Sequence, residues 1–276
     1  MKRSVLFWTL AVIVTLVSLV YQRVTGPSYP VSGKVQLNGR TIPFRLDRSH
    51  PGPTNAVVEI KTGDSSIAGI MSWKRHKTDD PWVDVRMIYK NGALQAELPH
   101  QPVAAKLLYR IELKQGDQHV MVNGDEPVIL RFRGETPIWI IVPHVFAMFC
   151  AFLFSARAGL EFFSKEPNFR KYMYATLGCL AVGGFMLGPL MQYYSFNLWW
   201  TGWPLGTDLT DNKTAIAFLC WLIAAFMYPR SKQPKRWALA ASIIMIAVYL
   251  IPHSVLGSEY DFNKAEKPAS QTQSPQ

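Results

Sequence analysis

Residues 5–21 read VLFWTLAVIVTLVSLVY, without a charge and directly behind Lys2 and Arg3. A helix needs about 20 apolar residues to cross the hydrocarbon core of a bilayer, within a range of roughly 17–25. Apolar stretches of the same character recur at Ile138–Ala156, Tyr172–Met191, Thr214–Tyr228 and Trp237–Ile251. The last two are short and are expected to recruit flanking residues, with Lys213, Arg230 and Arg236 snorkelling at their ends. Of 276 residues, 49% are hydrophobic and 17% charged, where a soluble domain carries about 25% charge. The shortfall sits in these five stretches. That excludes a purely soluble enzyme, a disordered tail protein and a disulfide-framework domain. The three cysteines, Cys150, Cys179 and Cys220, all lie inside apolar stretches, and no CxxC or Cys/His zinc spacing occurs.

The formal charge is +10. Most of the excess flanks the apolar stretches, at Lys2, Arg3, Arg157, Lys165, Arg170, Lys171, Arg230, Lys232, Lys235 and Arg236. With the N-terminus inside, 157–171 and 229–236 also fall inside, so every short basic loop is cytoplasmic. The basic residues are then expected to meet membrane lipid rather than nucleic acid. Trp199, Trp200 and Trp203, with Tyr193 and Tyr194, fall in an outer loop, where an interfacial aromatic belt belongs. Residues 1–22 lack an A-x-A site and read as an uncleaved signal-anchor rather than a signal peptide.

Residues 28–135 change character. Strand-length runs alternate with turn chemistry. Gly33–Leu37 ends at Asn38-Gly39, a hairpin signal. Ala56–Lys61, Ile67–Trp73, Trp82–Tyr89, Leu94–Leu98, Leu107–Leu113 and Val128–Phe132 complete about seven strands. Regular short strands over such a length predict a β-sandwich. Leu94–Leu98, then Pro99 through Pro102, then Lys106-Leu107-Leu108-Tyr109-Arg110-Ile111-Glu112-Leu113 resemble the later strands of a fibronectin type III or immunoglobulin-like domain. The resemblance covers under half the chain and implies an interaction module without an activity. Trp73 and Trp82 are candidate core tryptophans. Lys74-Arg75-His76-Lys77, followed by Asp79-Asp80, reads as a solvated turn, with an anionic-lipid or partner contact as the alternative. His50, His100 and His119 sit among turn residues and read as surface histidines.

The predicted architecture is therefore a signal-anchor (1–22), an extracytoplasmic Ig-like sandwich (28–135), a four-helix transmembrane domain (137–256) and a disordered outer tail (257–276). In the third apolar stretch, Gly184-x-x-x-Gly188 predicts tight helix packing within the bundle, and Pro189 predicts a kink.

One constellation invites a site. His144 lies in the second apolar stretch, about six residues and roughly 9 Å below the outer surface. His253 ends the fifth stretch near the same surface. Intramembrane ionisable groups are expensive and mark candidate sites. Asp208, Asp211 and Glu259 lie in neighbouring outer segments. Three readings stand open. His144 and His253 ligate a haem b; or they bind a divalent metal with Asp208, Asp211 or Glu259, which would permit a membrane hydrolase; or the histidines pin the outer loop by hydrogen bonds. Walker, dinucleotide, HExxH and GxSxG patterns are missing. The function expected first is an accessory or assembly subunit whose outer sandwich binds a protein partner, with a haem- or metal-binding redox protein as the alternative.

Overall fold

The computed structural model describes residues 2–252, 257 and 259–265. The chain divides into two units. One runs from Ser28 to Gly134 and also takes the C-terminal segment from 259 onward; the other is built from the stretches on either side.

The first unit is a β-structure around one core. Strands β1 (Val31–Leu37) and β2 (Arg40–Leu46) form a hairpin whose turn, Asn38-Gly39, has both residues at positive φ, as a two-residue turn requires. After β3 (Ser49–Pro51) come β4 (Ala56–Lys61), β5 (Ala68–Arg75), β6 (Val83–Arg86), β7 (Ile88–Lys90), β8 (Ala93–Leu98), β9 (Lys106–Gln115), β10 (Gln118–Asp125) and β11 (Val128–Arg133). One sheet has the order β3-β11-β9-β5-β6, with β10 also on β9; the other has the order β4-β8-β7. All pairings are antiparallel except β11 with β3. The β1–β2 hairpin lies beside β10 on one side and β4 on the other. Strand alternation sends Val58 and Ile60, Leu94 and Leu98, Met71, Leu107, Tyr109, Ile111, Leu113, Leu130 and Phe132 into a single core drawn from both sheets. The Tyr109 hydroxyl stays satisfied there by donating to the Asp47 carbonyl at 2.8 Å, as a buried polar group must.

The sequence reading anticipated β4 residue for residue and missed β2, β3 and β10. β2 carries Pro43, which is tolerated because β2 pairs only with β1. Trp82–Tyr89 was expected as one strand. It is two, because Met87 turns inward and its amide bonds to the Gly69 carbonyl at 2.9 Å, which moves the chain from one sheet to the other. Trp73 packs against the core. Trp82 instead lies under Arg110 at 4.5 Å and Lys74 at 5.4 Å.

The second unit is helical: α1 (Lys2–Thr25), α2 (Ile138–Leu160), α3 (Phe169–Leu180), a π-helical segment (Ala181–Leu187), α4 (Gly188–Phe196), α5 (Leu209–Met227) and α6 (Pro234–Leu250). The α3, π and α4 pieces run on as one rod, Phe169–Phe196. Pro189 explains the break in register: its nitrogen has no proton for the carbonyl four residues back, and the Gly188 amide bonds to Gly183 O instead. Among the described residues, four helices are long and apolar enough to cross a membrane, Arg3–Thr25, Ile138–Phe163, Phe169–Phe196 and Leu209–Met227. Five were expected. The fifth stretch forms α6, which at 17 residues spans roughly 26 Å against a core of about 30 Å.

The glycine pattern packs helices inside the unit. A Cβ on Gly184 would lie 2.5 Å from Thr214 Cγ2 of α5, and one on Gly183 would lie 2.9 Å from Ala147 Cβ and Met148 Sδ of α2. Many residues buried between the helices are small or polar, among them Thr15, Ser18, Ala151, Ser155, Thr176, Ala217, Ala224, Ala238, Ala241 and Ser242, and they surround a few large ones such as Phe152, Met173, Trp221 and Met245. Large apolar side chains, among them Leu6, Val17, Phe146, Leu219, Phe226 and Ile243, point outward.

Candidate functional site

The expected carboxylates are placed one by one on structural duty. Asp208 is the N-cap of α5, its Oδ1 accepting from Thr210 N at 2.7 Å. Asp211, one turn later, accepts from Thr201 N at 2.7 Å and Gly202 N at 3.1 Å. Asn212 Oδ1 accepts from Trp203 N at 2.7 Å. The first turn of α5 therefore holds the loop Thr201–Asp208, which is closed at its base by Asp208 N donating to Thr201 O at 2.9 Å. Gly202 is needed at this approach, since a Cβ there would lie 2.6 Å from Asp211 Cβ. The loop presents Trp203 and Leu205 outward, 77% and 78% exposed.

Lys213 was expected to snorkel. It is buried instead, and its ammonium donates to Ile251 O at 2.7 Å and Pro252 O at 3.3 Å. These carbonyls belong to the two residues just past α6, so the cation sits at the negative end of the helix dipole. Gln22 Nε2 adds a bond to Tyr249 O at 2.8 Å, which ties α1 to the same helix end.

His144 Nδ1 lies 2.9 Å from Gly183 O. A carbonyl only accepts, so the proton sits on Nδ1 and Nε2 is left as an acceptor. His253, the other expected ligand, lies outside the described residues. Among the described residues, no three His, Cys, Asp or Glu side chains are grouped to hold a metal ion.

Two arrangements were not foreseen. The first is a buried ion pair in the helical unit. Arg157 Nη1 lies 2.6 Å from Glu161 Oε1, with side chains 3% and 6% exposed. The Tyr172, Phe7 and Trp8 rings surround the guanidinium at 4.7, 5.3 and 5.6 Å, and Glu161 Oε2 accepts from Asn168 N at 2.9 Å. The pair joins α1, α2 and α3. Its signal in the sequence was the i,i+4 spacing of opposite charges at the end of an apolar run.

The second lies in the β unit. Glu259, expected beside the histidines as a metal ligand, is held by a histidine and two lysines: His76 Nδ1 at 2.7 Å, Lys77 Nζ at 2.6 Å and Lys106 Nζ at 3.2 Å. Burial pushes its carboxyl up, but the bonds from Lys77, His76 and Lys106 outweigh that and bring it down to about 2. Phe262 follows, 7% exposed, at the start of a single helical turn, Phe262–Ala265. This part of the expected disordered tail is therefore ordered on the β unit, and 266–276 lie outside the described residues. The signal was an aromatic pair, Tyr260 and Phe262, inside an otherwise polar tail. The Lys74–Lys77 cluster, read as a solvated turn, supplies half the seat, and its Arg75 pairs with Asp80 at 2.5 Å. Of the other β-unit histidines, His119 is exposed and faces Glu112, while the half-buried His50 and the exposed His100 stand edge-on to Phe132. Comparison with protein-family models, with curated proteins and with solved structures finds no match to this chain.

Proposed function

We propose that the chain is a multi-pass protein of the cytoplasmic membrane, with its N-terminus inside and its β unit outside. It serves as an accessory or assembly subunit that engages a protein partner through the β unit. The large apolar side chains that face outward from the helical unit support membrane insertion: such surface is costly in water and costs nothing in lipid. Chain connectivity supports the topology. The links after α1, before α2 and after α6 all lead to the β unit, so these three helix ends share a side of the membrane. An even number of crossings must then lie between the start of α2 and the end of α6. On this reading α6 counts as a crossing despite its length. Packing of α1 along α2 and α6 supports its retention as an anchor.

The strand order supports an immunoglobulin-like class for the sandwich. The chain changes sheet between β4 and β5, near Met87 between β6 and β7, and between β8 and β9, in the manner of a Greek key.

The observation that carries the partner reading is the free edge at β7. Ile88, Tyr89 and Lys90 pair with β8 on one side only, and Ile88 is 72% exposed. Soluble sheets normally blunt such an edge with charge or proline. Lys90 supplies one such charge here, but Ile88 and Tyr89 keep apolar surface on the edge, which suits an extended strand from a partner, added by β-augmentation. The carboxylates that could have served chemistry are meanwhile engaged in capping, loop anchoring and tail docking. A photocrosslinking residue at Ile88 in the full-length chain tests this in its native membrane. One discrete adduct at position 88, weakened when Tyr89 is replaced by proline, is the expected result. The same adducts at position 88 and at Lys34 would overturn it.

A further inference from the structure

The seat of Glu259 has the construction of a peptide-recognition groove. Its two walls are neighbouring strands: Arg75–Lys77 at the end of β5 and Ala104–Lys106 at the start of β9, stitched together by His76 N donating to Lys106 O at 3.0 Å. Two lysines and a histidine take one carboxylate. The Arg75 guanidinium, fixed by Asp80, lies 5.1 Å from the Phe262 ring. Tyr260 stands edge-on to Phe262 at 5.2 Å. Two main-chain carbonyls complete the contact: Ala104 O accepts from Tyr260 N at 3.2 Å, and Lys77 O accepts from Asn263 Nδ2 at 3.1 Å.

Those two residues share a further property. Lys77 has φ 59° and Ala104 φ 69°; the other described non-glycine residues at positive φ are Asn38, Asn91 and Asn197. Asparagine adopts this conformation readily, whereas lysine and alanine do so against steric resistance. Backbone strain of this kind is kept at ligand clamps. Here both strained residues turn their carbonyls to the same segment. Asp261, by contrast, is spent within that segment, accepting from Asn263 N at 3.1 Å. The groove therefore reads a carboxylate, a main-chain donor and an aromatic ring three residues after the carboxylate.

We propose that this groove is a recognition site for acidic–aromatic peptide segments of the pattern Glu-x-x-Phe. The chain's own Glu259–Asn263 is its ligand in cis, and a partner's segment of the same chemistry exchanges with it. The site is separate from the β7 edge, and neither proposal depends on the other.

Competition with the tethered tail tests it. The full-length chain in detergent micelles is titrated against a fluorescein-labelled peptide of residues 257–265, GSEYDFNKA, and anisotropy is read. A tethered segment competes at an effective concentration of roughly 1 mM. For a peptide of about 0.1 mM affinity, that weakens binding to the wild type about tenfold relative to a chain whose own motif is erased. The Glu259→Ala/Phe262→Ala double variant is therefore expected to bind the peptide about tenfold more tightly than wild type. Adding Lys77→Ala and Lys106→Ala should remove that binding. Equal affinity for wild type and double variant, or no binding to a double variant whose circular dichroism matches wild type, overturns the proposal. Should the double variant unfold, Glu259→Gln serves instead. It keeps Phe262 and is expected to bind the peptide more tightly than wild type by a smaller factor; no gain over wild type overturns the proposal equally.

Discussion

The two units solve the same packing problem with different mixtures of side chains and with different outer surfaces. In the β unit the interior is Leu, Ile, Met, Tyr and Phe, and the charges sit outside. In the helical unit Ala, Ser, Thr and Gly share the interior with Phe152, Met173, Leu180, Trp221 and Met245, and with Arg157, Glu161 and Lys213, while many other branched and aromatic side chains face out. The first arrangement is what water selects, because removing apolar area from water is the main driving force. The outward apolar surface of the second is what lipid would select, in line with the proposed membrane insertion. Lipid tails do not push apolar side chains inward, so helices are held by close backbone approach and by polar groups that have nowhere else to go. The comparison says which residues carry stability in each unit, and it can be broken at specific places.

The largest effect is expected at the Arg157–Glu161 pair. Replacing Glu161 by alanine leaves a guanidinium that is 97% buried without its anion and takes an acceptor from Asn168 N. Breaking a buried pair from one side costs about 3–5 kcal/mol. Thermal unfolding of the variant in micelles should show a loss of that order, reported by the α1–α2–α3 contacts around Trp8. A loss below about 1 kcal/mol would mean that the ring cage alone holds Arg157, and that the pair contributes little.

A second experiment uses two residues of equal exposure. Val57 on β4 and Leu219 near the middle of α5 are both 57% exposed. If the surroundings are the same, lysine should be equally tolerated at both. If α5 faces lipid, Leu219→Lys costs about 3 kcal/mol of insertion free energy, while Val57→Lys costs less than about 1 kcal/mol of folding stability. Insertion of the α5 segment measured against unfolding of the β unit decides the matter. Equal tolerance would remove the main support for the membrane reading.

The sequence displayed one half of this comparison more clearly than the other. Apolar runs announce themselves by length, so α1, α2 and the Phe169–Phe196 rod were legible, as was the alternating β4. Partner choice was not. Nothing in the composition of 201–213 distinguishes an Asp211 that anchors a loop from one that ligates a metal, because both need a carboxylate near a helix start. Lys213 looked like an end-of-span cation until α6 was seen to end beside it. Glu259 was read with His253 because the two are six positions apart; the cations that hold it lie some 150 to 180 positions earlier, at 76, 77 and 106. Long-range electrostatic pairing leaves no period in a sequence, whereas burial of a face does.

The smallest effect is local and concerns charge in the β unit. The Arg157–Glu161 pair is sealed, so its loss is paid by the whole bundle. The Glu259 cluster is partly open to solvent, with Lys77 69% exposed, and should let go alone. Its carboxyl sits at about 2 when docked, against an ordinary value of 4.5. A carboxyl lowered in the folded state contributes stability that is fully present above its ordinary value and is lost as pH falls through the lowered one. The facing groups are His76 and Lys77 after β5, Lys106 on β9, and the Arg75–Asp80 pair beside Phe262. The Glu259 carboxyl sets the window, and the Asp80 carboxyl that fixes Arg75 is likewise held low, by its bond from Arg75. Docking of Tyr260–Asn263 should thus be constant from neutral pH down to about 4.5 and weaken progressively toward 2. Hydrogen exchange at the Tyr260 amide, whose acceptor is Ala104 O, reads this directly once corrected for the intrinsic pH dependence of exchange. Protection at Tyr260 should fall in that window while amides in β9 remain protected. Simultaneous loss in both would show that the segment is part of the sandwich's cooperative core rather than a ligand seated upon it.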